Sequence, residues 1–246
     1  MTVQRINLNA EEIFQKQWLT YQTLLQEDYL EHRTLYEAVQ SIILDRARKH
    51  PLRILDLGCG DSDYIARALE AVGGASVVES YTGVDLSEPA LAISESNIHR
   101  ALGSNDKATW HHSNFVTFSN SCQEDFDIVL MSFALHHLDE PSKGALLKQA
   151  QRVLSKRAGC FILVDLFRQP DESLPQYHER QQEEVTSMWT ALSTEERSCM
   201  TDHMLKFDMP ETHANMEALA CAAGFTSVES VKEARNELSM VVLLKV

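Results

Sequence analysis

The residues best suited to chemistry form a short turn between Asp56 and Gly60. The acid lies near the end of an apolar run, Leu52 to Leu57, and the glycines Gly58 and Gly60 follow with one residue between them. Because glycine has no Cβ, a ligand can lie against the bare backbone of such a turn, facing the amides of the helix that follows. The spacing predicts a buried strand, a tight turn and a helix start that together hold a nucleotide-like ligand.

The charge around this turn favours one ligand class. A dinucleotide-binding turn has a third glycine three residues after the second, where this chain has Asp63, and Asp61 adds another negative charge. These acids disfavour the pyrophosphate of NAD, whereas S-adenosylmethionine carries a sulfonium and an ammonium and no phosphate. The pattern D-x-G-x-G-x-S resembles the first motif of class I S-adenosylmethionine-dependent methyltransferases, which implies that Asp56, Gly58 and Gly60 bind this cofactor.

Two further ligand positions follow at the ends of the next predicted strands. The carboxylate of Asp85 can accept both hydroxyls of a ribose, because its two oxygens match a vicinal diol. The resemblance implies an acid and then an aromatic residue after the third strand. This chain has Asn114, whose amide oxygen can still accept from the adenine amine, and Phe115, which would pack on the ring. The resemblance also implies cofactor contacts at Leu86 and Met131.

A pair of histidines, His136 and His137, leads away from the predicted fourth strand. The run F-D-x-V-x-x-x-x-x-L-H-H-L looks like the fourth motif of small-molecule methyltransferases, the group that includes enzymes of the ubiquinone-biosynthesis type. A histidine with a near-neutral pKa can take a proton from an acceptor hydroxyl or amine, or orient the acceptor. We expect one of the two to be catalytic and the other structural, and the sequence leaves open which is which.

Candidate contacts to the methyl acceptor come from the N-terminal helices and from the predicted fifth strand. Tyr21 and Tyr29 lie in two N-terminal helices whose aromatic stripe, with Trp18, faces either the cofactor mouth or the core. Asp165 and Arg168 end the predicted fifth strand, at the sheet edge where ligands bind.

Composition limits the other classes of ligand and partner. The net charge of −14, without a basic patch, disfavours a nucleic-acid substrate. No apolar run approaches the ~20 residues of a membrane span, and the polar N-terminus lacks a signal-peptide pattern, so we expect a cytoplasmic protein without a membrane partner.

The five cysteines show no C-x-x-C pair. We expect no metal, because the remaining candidate ligands lack a ligand spacing: His178, Asp202, His203 and His213. The oligomeric state stays open.

The elements that position these residues alternate strand and helix. With the resemblance, they predict a class I methyltransferase (Rossmann-like) α/β fold: a seven-stranded, mostly parallel sheet with an antiparallel last strand. We expect a helical flap over residues 1–50 and a methyltransferase domain over 51–246, with a helical lid inserted at about 169–209. A helix is predicted from Pro210 to Ala223. The predicted function is methyl transfer from S-adenosylmethionine to a small molecule by in-line displacement.

Three alternatives remain at this point. The segment Glu211-Thr212-His213 and the turn Ala223-Gly224-Phe225 also resemble carboxy-S-adenosylmethionine synthases, which modify the cofactor itself. A non-catalytic S-adenosylmethionine-binding protein would have the same turn. A nicotinamide oxidoreductase is disfavoured by Asp63 and by the antiparallel ending. Neither the acceptor nor the atom that is methylated can be deduced from the sequence.

Overall fold

The protein is described by a computed structural model that covers the backbone of residues 10–246 and the side chains of residues 19–246. The side chain of Trp18 therefore lies outside the described residues. In chain order the helices are α1 (Ala10–Glu27), α2 (His32–Ala47), α3 (Asp63–Val72), α4 (Glu88–Leu102), α5 (Phe115–Ser121), α6 (Glu140–Ser155), α7 (Leu174–Met188), α8 (Thr194–Phe207) and α9 (His213–Ala223). The strands are β1 (Leu52–Leu57), β2 (Val78–Asp85), β3 (Ala108–His112), β4 (Ile128–Ser132), β5 (Cys160–Arg168), β6 (Glu211–Thr212), β7 (Ser227–Glu233) and β8 (Ser239–Lys245).

Seven of these strands form one sheet in the order β3-β2-β1-β4-β5-β8-β7. Strands β1 to β5 run parallel, and β8 lies antiparallel between β5 and β7. The predicted mostly parallel sheet with an antiparallel last strand is therefore confirmed. Because ligands bind outside the carboxyl ends of parallel strands, Leu57, Asp85 and Ser132 all end at the edge where the site is expected.

Helices cover both faces of the sheet and bury two apolar layers. One layer joins α2, α3 and α4 to β1 and β2, with Leu35, Val39 and Ile54 fully buried. The other joins α6 and α9 to β4 and β5, with Leu147 and Phe161 fully buried. Among the described residues, no helix is both long and apolar enough to cross a bilayer.

A third, smaller apolar cluster lies under the segment between β5 and α9. It brings Leu24 of α1 and Leu30 of the turn before α2 against residues of α7, α8 and the loop between them: Tyr177, Trp189 and Met204. Capping boxes start α7 and α8. The hydroxyl of Ser173 accepts from the backbone amide of Gln176, and the hydroxyl of Ser193 accepts from that of Glu196. The predicted helical insertion is therefore present, and it packs on the N-terminal helices.

One predicted helix boundary is wrong. The helix expected from Pro210 begins at His213 instead, because Glu211 and Thr212 form β6 and pair with the end of β5. The Glu211 side chain is buried against the ammonium of Lys143, and the Thr212 hydroxyl caps α9 by accepting from Asn215 N at 3.1 Å. The buried ion pair thus keeps this segment extended until the cap.

Candidate active site

The glycine turn after β1 is held by hydrogen bonds to the end of β2. The amides of Gly58 and Cys59 both donate to the carbonyl of Val84, at 2.8 and 3.1 Å. Gly58 and Gly60 have φ values of 72° and 51°, in the left-handed region that favours glycine. A Cβ added at Gly58 would lie 2.9 Å from the Cβ of Ala134, so this position also excludes larger side chains by contact.

Asp85 joins the turn to the start of α4. Its Oδ2 accepts from the amide of Gly60 at 2.9 Å, and its Oδ1 accepts from the amide of Ser87 at 2.8 Å. Each carboxylate oxygen has a second lone pair, so the fixed carboxylate can still accept two further hydrogen bonds. The structure therefore holds Asp85 in one orientation beside the glycine turn.

Asp56 lies buried beneath the turn, at the wall of the adjoining cavity. Its Oδ2 accepts from the hydroxyl of Tyr81 at 2.8 Å, and that hydroxyl lies 2.9 Å from Oγ of Ser62. Burial raises the pKa of Asp56 to about 7, although the Tyr81 hydrogen bond lowers it and Asp85 raises it further. This carboxyl group therefore changes charge near neutral pH.

The remaining predicted cofactor residues lie at the neighbouring strand ends. The Oδ1 atom of Asn114 accepts from the amides of Val116 and Thr117, so it caps α5, and the ring of Phe115 lies beside Gly58. Leu86 is exposed after β2. Met131 is fully buried in the apolar layer with Leu55 and Val84, so its side chain packs in the core.

A cavity of about 340 Å³ extends from the glycine turn to the two histidines. Its walls come from the turn, from α1 and α2, from the loop after β4, and from α7, α8 and the residues next to them. Tyr21 lines it and is partly exposed, while Leu24, Leu166 and Met204 give it apolar surface. The cavity thus joins one part of the predicted cofactor site, Asp56 with Gly58 and Gly60, to the predicted catalytic residues. The other predicted cofactor residues do not line it: Asp85, Leu86, Asn114, Phe115 and Met131.

His136 is clamped at one end of this cavity by Asp165. The Nδ1 atom of His136 lies 2.5 Å from Oδ1 of Asp165, and the backbone amide of His136 donates to Oδ2 of the same carboxylate at 3.0 Å. Both side chains are almost fully buried. Burial lowers the pKa of His136, but the Asp165 carboxylate outweighs it, so the pKa lies above its usual value. The clamp leaves Nε2 as the nitrogen available to other groups.

Asp208, which follows α8, completes a cluster that the sequence did not predict. Its Oδ1 lies 3.4 Å from Nδ1 of His137 and 3.7 Å from Nε2 of His136. Asp208 is 4% exposed, and its Oδ1 has no hydrogen-bond partner among the residues whose side chains are described. His137 is 39% exposed, and its ring contacts that of His203 edge to face, with centroids 5.6 Å apart.

Three predicted acceptor contacts have other partners. The Tyr29 ring stacks on Trp189 at 5.1 Å and its hydroxyl accepts from the amide of Ala191, so it joins α1 to the α7–α8 segment. Asp165 is occupied by His136. Arg168 donates to the carbonyls of Pro210 and Glu172 and lines a different cavity. None of these three side chains lines the cavity beside the glycine turn, which helical periodicity and the positions of strand ends could not indicate.

Other cavity residues also escaped the sequence analysis. His32 is buried, its ring lies 4.5 Å from that of Phe133, and burial lowers its pKa to about 3. Its Nδ1, Oε1 of Gln181 and Nε1 of Trp189 have no hydrogen-bond partner within the described part of the chain. All three residues line the cavity. A single histidine between two helices has no sequence signal that separates a cavity residue from a core residue.

Of the four residues weighed as metal ligands in the sequence, only His203 borders the cavity. His178 makes a 3.0 Å contact from Nε2 to the carbonyl oxygen of Asp208. The possible ligand atoms that come together are instead those of His136, His137 and Asp208, which lie within 4.8 Å of one another. This grouping crosses 71 positions of the sequence, so no local spacing rule could have indicated it.

Parts of the chain are similar in sequence to known methyltransferases. Residues 54–157 match the family model described as a methyltransferase domain. A curated ubiquinone biosynthesis O-methyltransferase from Aromatoleum aromaticum is 34% identical over 90 residues. That alignment covers 37% of this chain and 35% of the relative, so this chain matches about a third of the relative's length.

Solved structures share the fold over nearly the whole chain. An S-adenosylmethionine-dependent methyltransferase, SibL, superposes with a TM-score of 0.64 and 19% identity over 97% of this chain and 59% of its own. The plantazolicin methyltransferase BpumL, solved in complex with SAH, gives a TM-score of 0.64 and 15% identity over 96% of this chain and 91% of its own. The chain therefore has the Rossmann-like fold of class I methyltransferases.

Proposed function

We propose that this chain, which has a methyltransferase domain at residues 54–157 within a class I methyltransferase fold, transfers a methyl group from S-adenosylmethionine to a small-molecule acceptor. The observation that carries the proposal is the continuous cavity that begins at the glycine turn and ends at His136 and His137. A cofactor seated on the turn would direct its sulfonium methyl group into the space that the histidines border.

The cofactor residues divide by the part of S-adenosylmethionine that they contact. Gly58 and Gly60 give close access to the backbone, and the Asp85 carboxylate accepts the ribose hydroxyls. Phe115 packs on the adenine, and Leu86 covers it from the neighbouring strand end. Asn114 fixes the start of α5 beside the ring, because its Oδ1 already accepts from two backbone amides. Asp56 attracts the cationic end of the cofactor when it is ionised. Met131 supports this surface from the core.

Methyl transfer needs an acceptor atom in line with the carbon–sulfur bond. The acceptor's lone pair forms the new bond to carbon, the sulfur keeps the electron pair of the old bond, and S-adenosylhomocysteine and the proton of the acceptor are released. His136 and His137 lie at the acceptor end of the cavity and would activate or orient that atom. Of the two, His137 is the more exposed, whereas His136 is fixed by Asp165.

The cavity walls indicate an acceptor with both apolar and polar parts. Apolar surface comes from Leu24, Leu166 and Met204. His32 and Trp189 add polar atoms that have no hydrogen-bond partner among the side chains from residue 19 onward. A buried polar atom costs free energy unless a partner satisfies it, so an acceptor with hydrogen-bonding groups at matching positions would be favoured.

We propose the same division of the chain that the sequence suggested, with one refinement. Helix α2 packs against the sheet in one of the two apolar layers, so it belongs to the methyltransferase domain. The flap over the cavity is then α1 with the turn to Tyr29. The segment at about 169–209, with α7 and α8, acts as the lid, and the Tyr29 and Trp189 rings join the two.

Calorimetric titration with S-adenosylmethionine, S-adenosylhomocysteine and NAD, in parallel, tests the proposal. We expect micromolar binding of the first two and no binding of NAD. Binding of NAD alone would contradict the cofactor assignment. Binding of S-adenosylmethionine without methyl transfer to any acceptor in a screen with labelled methyl groups would contradict the enzymatic role and favour a cofactor-binding protein.

The proposed role of Asp56 predicts a pH dependence of cofactor affinity. With a pKa of about 7, this carboxyl group is mainly neutral at pH 6 and mainly ionised at pH 8, and only the ionised form attracts the cation. S-adenosylmethionine should therefore bind up to about tenfold more tightly at pH 8 than at pH 6. Calorimetry at both pH values checks this. The Asp56→Asn variant should show a flatter profile, and an unchanged profile would remove Asp56 from the cofactor site.

The proposed ribose contact predicts the effect of Asp85→Ala. Loss of the carboxylate would leave the ribose hydroxyls unpaired and free the amide of Gly60, so cofactor binding should weaken by about 1–3 kcal/mol. Calorimetry measures the change, and Asp106→Ala, at an exposed acid before β3, is the matched control. Equal affinities in the two variants would contradict the assignment.

A further inference from the structure

We infer that His136, His137 and Asp208 form a binding site for a divalent transition-metal ion at the acceptor end of the cavity. The ligand atoms are Nε2 of His136, Nδ1 of His137 and Oδ1 of Asp208. The binding of the ion is independent of methyl transfer, whereas its chemical role, described below, rests on the proposed function.

The distances fit one small ion without large movements. A tetrahedral ion with bonds of about 2.0–2.1 Å, as for zinc, places its ligand atoms about 3.3 Å apart. The Asp208 oxygen lies 3.4 Å and 3.7 Å from the two histidine nitrogens. The two histidine nitrogens lie within 4.8 Å of each other. Small shifts of Asp208 and a rotation of the more exposed His137 ring would therefore bring all three atoms into coordination distance.

Asp165 orients the ring of His136, the first of the three proposed ligands. Metal-binding histidines commonly donate their other ring nitrogen to a carboxylate, which fixes the tautomer and increases the basicity of the ligand atom. Asp165 provides that partner: it holds Nδ1 and the backbone amide of His136, and it also accepts from the amide of Leu166. The ring of His136 therefore presents Nε2 to Asp208 with a proton on Nδ1.

Asp208 supplies the charge that a cation would neutralise. Its Oδ1 is buried and accepts no hydrogen bond from the described residues, which is costly for a carboxylate. The two imidazoles beside it balance its charge only when they are protonated, whereas a bound metal ion would balance it with both rings neutral. The nearby ammonium of Lys143 is occupied by Glu211. The backbone keeps the loop in place, since the amide of Asp208 donates to Met204 and the next amide donates to the carbonyl of His136.

The ligand set selects the class of ion and its chemistry. Two imidazoles and one carboxylate suit zinc or a similar transition metal, whereas magnesium and calcium prefer oxygen ligands. Three protein ligands leave a position open for the acceptor. A hydroxyl group bound there would release its proton near neutral pH, and the resulting oxyanion would take the methyl group from the sulfonium. In this role the histidines act as ligands of the ion and not as bases.

The test is calorimetric titration of the metal-free chain of 246 residues with Zn²⁺, and with Mg²⁺ as the unsuitable ion. We expect tight binding of one Zn²⁺ that is lost or weakened at least tenfold in His137→Gln and Asp208→Asn, and weakened about 10- to 100-fold in Asp165→Asn. His99→Gln, at an exposed histidine of α4, is the control and should bind as the native chain does. Cobalt substitution adds a spectroscopic check, because a tetrahedral site gives intense visible absorption.

Each outcome bears on one proposal. Zn²⁺ binding that is absent, or unaffected by His137→Gln and Asp208→Asn, would overturn the metal site. S-adenosylmethionine binding, measured on the same variants, should be unchanged, which shows that they are folded. Cofactor binding without zinc binding would refute the metal site alone, and zinc binding without cofactor binding would refute the proposed function alone.

Discussion

Replacing Gly58 with alanine is expected to weaken the binding of S-adenosylmethionine at least tenfold and to destabilise the chain by about 2–4 kcal/mol. The residue has a φ of 72°, which costs a non-glycine residue free energy, and its new Cβ would lie 2.9 Å from that of Ala134. Relief of this contact must move either the turn or the loop that leads to His136. Calorimetry with the cofactor and thermal unfolding measure the two effects.

Gly103→Ala is a matched control for the backbone strain. Gly103 ends α4 with a φ of 74°, and an added Cβ there would meet no atom within 4 Å. Its substitution should cost only about 1 kcal/mol and leave cofactor affinity unchanged. If both variants bound the cofactor equally well, the close approach of Gly58 to Ala134 would be unimportant for binding.

The second large effect is expected at Lys143, whose side chain is 1% exposed. Its ammonium donates to Oε1 of Glu211 at 2.7 Å and to the carbonyl of Met209. Lys143→Met would leave the Glu211 carboxylate buried with only the more distant Arg168 guanidinium, at 3.6 Å, to balance its charge. Because an uncompensated buried charge is costly, we expect a loss of about 3–5 kcal/mol in the free energy of unfolding.

Denaturant unfolding measures that loss, and Lys148→Met, at an exposed lysine of the same helix, is the control. The double variant Lys143→Met with Glu211→Gln should recover part of the stability, since no buried charge is then left unpaired. A Lys143→Met variant as stable as Lys148→Met would mean that the ion pair does not hold β6 in place.

The sequence predicted those parts of the molecule whose structure is determined by residues that are close together in the chain. The strand and turn from Leu52 to Gly60 and the antiparallel ending follow from local patterns, and the structure has both of them. The family resemblance supplied the order of these elements. The fold could therefore be predicted with its strand directions. Among the described residues, the short strand β6 was missed, the start of α9 was misplaced, and α2, assigned to the flap, packs in the core.

The candidate site could be predicted only in part, because much of it depends on contacts between distant segments. Asp165 and Tyr29 were predicted to contact the acceptor, but in the structure their partners are His136 and Trp189, which lie on other elements. Asp208 gives no signal in the sequence, because its importance arises only where the end of α8 packs beside the loop after β4. The spacing of apolar residues identifies the buried faces of helices and the ends of strands. It cannot identify which side chains meet across the cavity.

The Tyr29 and Trp189 stack also has a consequence for the order in which the molecule assembles. The hydrogen bond beside it joins residues 162 positions apart, whereas the glycine turn and Asp85 are separated by only 25. Contacts between distant residues carry a larger cost of chain closure, so they tend to form late in folding and to open early. We therefore expect the glycine turn and Asp85 to form before the lid packs over the cavity. In the native state, the amide of Ala191 should exchange its hydrogen well before the amide of Gly60.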